Sequence, residues 1–496
     1  MERQTKILIL IFIIALSFRL FFAFQSPNLD YSAYFNNIQI DHISKTGLPM
    51  FHDPLSQGGR DFIFSPLFHY IFAGILLLLP DILVLKIIPN ILASSLIFIV
   101  FLISKKLTKD INVSLLTSFV SAFIPIFFAE TINSLSIYSL VIPLIFLIVY
   151  LFLDINKKKN LIFFIIFLFF FTFLHPSSFL LIFGLLVYLL ITKLENIRQS
   201  RAEIEIILFS TFFVLWAQFL IYKNAFLAHG PLMIWQNLPA GMLSKFFVQI
   251  NITSALVNIG FIPLIYGVYT TYRYTFREKD KDMYLIISLV LSASILLWLK
   301  LLELKIGLSF LGVLLVLLFA KFYKSNLVSI KKSKFSMYTK QLFVLFILLF
   351  IITSVIPSYT AAREKINSYP SKEETEAMLW LKENSDMNST VLGSVAQGFF
   401  IENFAERTTV IDSNFLLTKT PSQTYFDVER IYKTQYKTEA VTLLNKYNID
   451  YIFVSKNTLN EFNIQEIKYI SDEECFIPVF DKDVKIYKSA CIIETK

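Results

Sequence analysis

Apolar runs of roughly 13 to 22 residues recur from Lys6 to Pro357, separated by short charged or Pro- and Asn-bearing breaks. Such runs predict helices crossing a bilayer, because a helix satisfies its own backbone polar groups where no water can. The first, Ile7 to Phe24, is too long for the apolar part of a secretory leader and lacks its cleavage pattern, so it is expected to remain as the first crossing. Others are expected near Leu83 to Ile103, Val113 to Ala129, Tyr138 to Leu153, Leu161 to Leu174, Phe179 to Ile191 and Ile204 to Tyr222. The series closes with Ala255 to Tyr272, Met283 to Trp298, Ile306 to Ala320 and Gln341 to Pro357. The pattern predicts a polytopic α-helical membrane protein of about eleven transmembrane helices. Pro66 to Leu79 is short for a crossing and is expected at an interface.

After Pro357 the pattern changes. Charges become dense and apolar runs shrink to four or five residues. A capping box at Ser371 and Glu374 opens a helix carrying Leu379, Trp380 and Leu381. Strand-like runs Val391 to Val395, Thr408 to Ile411 and Tyr451 to Val454 alternate with helix-like Gln423 to Tyr432 and Glu439 to Lys446, which reads as α/β. Two domains are expected: residues 1–357 in the membrane and residues 358–496 as a folded α/β domain.

Composition supports this reading. Hydrophobic residues make up 55% of the 496, with 53 Phe, above the roughly 45–50% of soluble chains. The formal charge of +8 changes the picture only through its placement. Basic residues gather at alternate breaks, at Lys105, Lys106 and Lys109, at Lys157 to Lys159, at Arg273 and Arg277, and from Lys321 to Lys340. The other breaks hold only Lys45, Arg60, Lys86, Lys223, Lys245, Lys300 and Lys305. The positive-inside rule then predicts a multi-pass protein of the cell membrane with a cytoplasmic N-terminus and an extracytoplasmic C-terminal domain. The charge arises from topology, and no nucleic-acid partner is expected. The run Lys331-Lys332-Ser333-Lys334 reads as a cytoplasmic anchor, with anionic-lipid binding as its specific alternative. Both cysteines, Cys475 and Cys491, flank a strand pair, Phe476 to Phe480 and Val484 to Tyr487, that would bring them within reach of a disulfide; two buried thiols are the other reading.

Candidate chemistry concentrates in the long outer loop, residues 25–65, and its re-entry. It carries Asp30, Asp41-His42, Lys45-Thr-Gly47-Leu-Pro49, His52-Asp53-Pro54, Gly58-Gly59-Arg60 and Ser65-Pro66-Leu67-Phe68-His69-Tyr70. A loop this long and this rich in Asp, His, Gly and aromatic residues reads as a substrate-binding floor, or else as a packed cap whose polar groups satisfy one another. Glu130 ends an apolar run on the next outer loop, where burial without purpose would be costly; an acid resting at the interface is the plainer alternative. Arg60 after two glycines suits a phosphate, or a surface turn. His52 and His69 are candidate assistants in binding, or ordinary hydrogen-bonding residues. Lys300, Glu303 and Lys305 are expected to pair with one another, with contact to a phosphate as the alternative. No His-x-x-x-His spacing and no Cys cluster exists for a structural zinc, and no Gly-rich phosphate loop precedes a helix.

Asp30 soon after the first crossing, the Lys-Thr-Gly-Leu-Pro segment and the Pro-Leu-Phe-His-Tyr re-entry resemble the first extracytoplasmic loop of GT-C superfamily glycosyltransferases, in particular archaeal relatives of the oligosaccharyltransferase catalytic subunit. The alternating short loops and the α/β domain after the last crossing extend the resemblance over most of the chain. It implies a transferase that takes a sugar or glycan from a polyprenyl-phosphate-linked donor, with inversion, and passes it to a protein, glycan or lipid acceptor beside the membrane lipids. It implies Asp30 as catalytic base or metal ligand, Glu130 as second acid and metal ligand facing the same cavity, and Mg or Mn as the optional divalent cofactor. Arg60, His52 and His69 are then the substrate-binding candidates. For Asp30 the plainer reading is an N-cap of the helix-like Ser32 to Ile40.

The family pattern fails in two places. The Trp-Trp-Asp-Tyr-Gly motif of oligosaccharyltransferases is replaced by Ser394-Val395-Ala396-Gln397-Gly398, and the long loop before the tenth crossing shrinks to Lys300–Lys305. An acceptor other than a protein sequon is therefore expected. A noncatalytic scaffold is the reading from another class. A lipid-linked-glycan transporter is disfavoured by ionisable residues lying at span ends and by only 13 Gly.

Overall fold

A computed structural model describes residues 2–231 and 251–492. Lys245, counted above with the outer side, lies outside the described residues. The first expected crossing is the helix Glu2–Ala23. The second is a run through Leu83–Ile87, Ile88–Ser94 and Leu96–Thr108, opened by a π-helical turn. Among the described residues, six helices are long and apolar enough to cross a membrane, and eight when each of two bent pairs counts as one crossing. Tyr138–Phe152, Lys158–Leu174 and Ser178–Leu194 occupy three more expected positions with 15, 17 and 17 residues. At 1.5 Å per residue these three are shorter than the roughly 30 Å hydrocarbon layer.

Two expected crossings are not straight. Ile111–Ser121 and Pro125–Thr131 meet at 53°, because Pro125 has no N–H to give and holds Ile124 extended. The run expected from Ala255 to Tyr272 is broken outright: Ile252–Ile259 and Phe261–Phe276 meet at 108°. Gly260 makes that corner at φ +99°, and a Cβ there would lie 2.6 Å from Ser354 Oγ, so conformation and space both require glycine. Leu304–Lys332 is the central helix, its most apolar window 83% buried. The last crossing, Thr339–Phe350 continued through a π-helical turn into Ile356–Asn367, passes Pro357 without ending.

Beyond the bundle, the Ser371 capping box forms as the sequence predicts. Ser371 Oγ accepts from Glu374 N at 3.1 Å and Glu374 Oε2 accepts from Ser371 N at 2.9 Å, opening helix Lys372–Asn384. The long loop carries a small antiparallel pair, β1 (His52–Asp53) and β2 (Arg60–Asp61). The domain's sheet contains β3 (Thr390–Leu392), β4 (Thr408–Thr409), β5 (Tyr451–Val454), β6 (Phe476–Asp481) and β7 (Lys485–Ser489). Its order is β4-β3-β5-β7-β6, parallel on the β4 side and antiparallel from β5 to β6. Helices Pro421–Lys433 and Lys437–Lys446 stand where helix-like runs are expected. Cys475 and Cys491 form a disulfide, with Cα atoms 4.9 Å apart.

The two parts are sewn together. The long loop extends the sheet at its β4 edge: Ser56 bridges Thr409, Gln57 N donates to Thr409 O at 3.0 Å and Thr409 N to Leu55 O at 2.8 Å. Asn28 Nδ2 donates to Pro370 O and Thr375 Oγ1, and Tyr31 OH to Glu374 Oε2 at 2.6 Å.

Candidate functional site

Asp30 lies between the first helix and Ala33–Thr46, and it is not the N-cap of the latter. Ser32 takes that position with no side-chain cap bond. The Asp30 carboxylate instead accepts from Ser32 Oγ at 2.8 Å and pairs with Lys365 Nζ at 2.8 Å, both on Oδ2. Its backbone N donates to Asn133 O at 3.0 Å. Asn133 Nδ2 donates to Asn28 O and Asn36 Nδ2 to Leu135 O, so two loops distant in sequence share one hydrogen-bonded seam. The seam forces Leu135 to φ +47°, a backbone conformation uncommon for an apolar residue and the kind of strain that surrounding structure must hold in place.

Glu130 is the penultimate residue of Pro125–Thr131. The bend ahead of Pro125 brings it to the same seam, where Lys305 Nζ stands 3.1 Å from its Oε1. Glu303, just before Leu304–Lys332, completes an acidic surround. Glu303 is solvent-accessible, and desolvation by the protein around it, reinforced by Glu130, pushes its carboxyl above the ordinary Glu range against the opposing pull of Lys305 and Lys365. Burial also works against the Lys365 ammonium, but Asp30, Glu130 and Glu303 together hold its pKa above the usual lysine value. Tyr369, one turn further on, donates to Ile132 O at 2.9 Å and closes the site from the C-terminal side.

Asp30 and Glu130 thus act on one ammonium. Of the other sequence-predicted residues, His69 reaches the seam through Asn36, while Arg60 and His52 have partners of their own. Arg60 is buried in a fork of carboxylates: Nη2 meets Asp53 Oδ2 at 2.7 Å and Asp412 Oδ2 at 2.6 Å, while Nη1 donates to Asp412 Oδ1 at 2.7 Å. Phe62 and Phe399 cover its flat faces. It fastens the long loop to the C-terminal domain. His52 is exposed and pairs with Asp61 at 2.9 Å. His69 is fully buried, with Nε2 against Asn36 Oδ1 at 2.8 Å and Phe35, Phe64 and Phe68 around the ring. Of Lys300, Glu303 and Lys305, which are expected to pair with one another, Lys305 acts on Glu303 and also pairs with Glu130, because the bend at Pro125 delivers that acid to the same turn.

Two contributors escape the sequence reading. Lys365 lies past the composition break at Pro357, among residues that look like an ordinary charged domain, and nothing local marks it. Arg19 had a signal, a lone cation inside the first apolar run. It is buried, with Nε donating to Asn90 Oδ1 at 3.0 Å and Nη2 to Thr131 Oγ1, beside Glu130 in sequence.

Among the described residues, the acidic side chains close enough to share a metal ion are Asp53, Glu402 and Asp412, with ligand oxygens within 4.8 Å of one another. Arg60 already occupies two of the three. Burial raises the pKa of Asp412 against the pull of Arg60, and burial with Asp412 and Asp53 raises that of Glu402. Asp30 and Glu130 each face a lysine, so as arranged they do not present an open oxygen set to an ion.

No family model and no curated protein matches the sequence. Solved structures do match. The Archaeoglobus fulgidus oligosaccharyltransferase in its apo form superposes with a TM-score of 0.68 at 13% identity, over 91% of this chain and 69% of that one. The same archaeal enzyme, AglB, with an inhibitory peptide and a dolichol-phosphate superposes at 0.66 and 14% identity, over 90% and 69%. ArnT from Cupriavidus metallidurans, bound to undecaprenyl phosphate, superposes at 0.56 and 9% identity over 97% of both chains. This chain has a GT-C fold. Within it, the stretch Ser394 to Gly398 is internal packing: Gln397 Oε1 accepts from Ser394 N and Thr458 Oγ1, and Gln397 Nε2 donates to Ser455 Oγ. Gly398 opens helix Gly398–Ala405 so tightly against Ile411 and Asp412 that a Cβ would fall 2.3 Å from Asp412 Cβ.

Proposed function

We propose that this GT-C protein transfers a sugar or glycan from a polyprenyl-phosphate-linked donor to an acceptor at the extracytoplasmic face of the cell membrane, with inversion at the anomeric carbon. The observation that carries the reading is that Asp30 pairs with the half-buried Lys365 ammonium, on which the Glu130 carboxylate acts as well from a segment distant in sequence. The neighbours support the donor class, since AglB is complexed with a dolichol-phosphate and ArnT with undecaprenyl phosphate.

Transfer needs the acceptor proton removed while the anomeric carbon–phosphate oxygen bond breaks and its electron pair leaves with the phosphate. Asp30 takes the proton. Both of its contacts fall on Oδ2, which fixes the carboxylate plane and leaves Oδ1 to face the acceptor. Lys365 and Lys305 supply positive charge where phosphate charge develops, and Glu130 and Glu303 position those ammonium groups. Arg60, His52 and His69 support the loop that carries Asp30. Without the family's aromatic motif, the acceptor is a hydroxyl of a protein, glycan or lipid.

A divalent Mg or Mn held by Asp30 and Glu130 is the competing reading of the same carboxylates. The archaeal neighbour complexed with Zn and sulfate favours it. It requires both lysines to leave their oxygens, so chelation separates the two readings. Transfer is expected to survive EDTA in thoroughly washed membranes; loss with EDTA and restoration by Mn would transfer the role of Lys365 to the metal.

A further inference from the structure

At the opposite end of the bundle from Asp30, a cavity of about 640 Å³ opens between the first helix, Ile111–Ser121, Leu304–Lys332 and Thr339–Phe350. Its lining is graded along its length. Asn112 lies at the start of Ile111–Ser121, Lys331 at the end of Leu304–Lys332, and Thr339 and Lys340 at the start of Thr339–Phe350. Three helices therefore bring their polar residues to one mouth. Moving inward along the same helices, the wall becomes Leu116, Phe119, Leu327, Phe343 and Ile347. Both lysines are exposed, and they stand at the end of the bundle that carries the basic loops: Lys324 donates to Thr108 O close by.

An apolar slot with two ammonium groups at its mouth matches one kind of molecule, a lipid whose chain fills the slot and whose anionic headgroup meets the lysines. We infer that this cavity is a binding site for an anionic phospholipid of the leaflet facing the basic loops, separate from any donor site beside Asp30. The charge complementarity gives the cluster Lys331-Lys332-Ser333-Lys334 a task beyond anchoring. The seat also explains how the last crossing is held. Its most apolar window is only 17% buried by protein, and Phe343 and Val344 are exposed. A lipid seated there would clamp the start of the helical run whose far end carries Lys365.

The test uses the full-length protein in detergent, mixed with equal amounts of dioleoyl-phosphatidylglycerol and dioleoyl-phosphatidylcholine and read by native mass spectrometry. The parent is expected to retain phosphatidylglycerol about thirtyfold over phosphatidylcholine, as two lysines near an anionic headgroup would give. Lys331→Gln with Lys340→Gln should abolish the preference, and Val344→Trp, which fills the slot with both lysines in place, should lower retention of the lipid itself. Equal retention of both lipids by the parent, or an unchanged preference in the double variant, would overturn the assignment. None of these readings depends on sugar transfer, so failure here leaves the transferase reading untouched, and the reverse holds as well.

Discussion

Lys365→Met is expected to lower sugar transfer by about 10²–10³-fold, the usual loss when one preorganised electrostatic partner of a developing anion is removed. The fall should appear in kcat, with KM for the donor moving far less, because the ammonium acts on charge that develops as the phosphate departs. Lys365→Arg should recover part of the activity, since it restores charge but not the compact ammonium that fits among Asp30, Glu130 and Glu303. Removing the lysine also leaves those carboxylates facing one another, so thermal stability must be followed alongside. A variant equally folded, with kcat unchanged, would show that Lys365 is only a structural partner of Asp30. In the parent the carboxylates hold the Lys365 pKa above the ordinary lysine value. Its charge is therefore present throughout the neutral range, and any loss of activity from its deprotonation belongs on the alkaline side.

The second large effect concerns the fastening of the two domains. Arg60→Ala leaves Asp53 and Asp412 buried without their shared partner, a change that costs about 3–5 kcal/mol when one side of a buried pair is removed. Arg60→Lys should recover little, because a single ammonium cannot make the two-armed contact with Asp412 while holding Asp53. The deficit should depend on pH with a definite sign. Burial raises the folded-state pKa of Asp412 and Glu402 against the pull of Arg60, so without Arg60 both rise further and at neutral pH their ionised forms oppose folding more than in the parent. As pH falls through those raised values the native state binds protons before the unfolded chain does, and stability is recovered toward the ordinary carboxylate range near about 4. Denaturation midpoints of Arg60→Ala between neutral pH and the onset of general acid unfolding should therefore converge on those of the parent. A deficit independent of pH would mean that packing against Phe62 and Phe399, rather than the charges, is what Arg60 provides.

How much of this was legible in the chain differs by level. Hydropathy located the apolar helices because each is a property of its own residues, and the Ser371 capping box was readable for the same reason. The bends at Gly260 and Pro125 carried visible residues, but their angles arise from packing, as the tight approach of Gly260 to Ser354 shows. Asp30 and Glu130 could be placed in one site because each ends an apolar run on the same expected face. Lys365 could not, since it reaches Asp30 only after a helix passes Pro357 uninterrupted. Arg60 was misleading: glycines before a guanidinium suit phosphate and carboxylate equally, and the carboxylate that decides, Asp412, is 352 residues away. The strand Thr408–Thr409 was readable as part of the run to Ile411 and pairs with β3, but the long loop laid against its other side through Ser56 is announced by no local pattern in either segment.

Transfer of labelled sugar from radiolabelled polyprenyl-phosphate donors in membranes holding equal amounts of parent protein or Asp30→Ala addresses the central claim most directly. The expected result is transfer by the parent and a loss of at least about 10²-fold in the variant, the lower end of what a positioned general base contributes. Undiminished transfer by Asp30→Ala at matched expression would contradict the proposed centre.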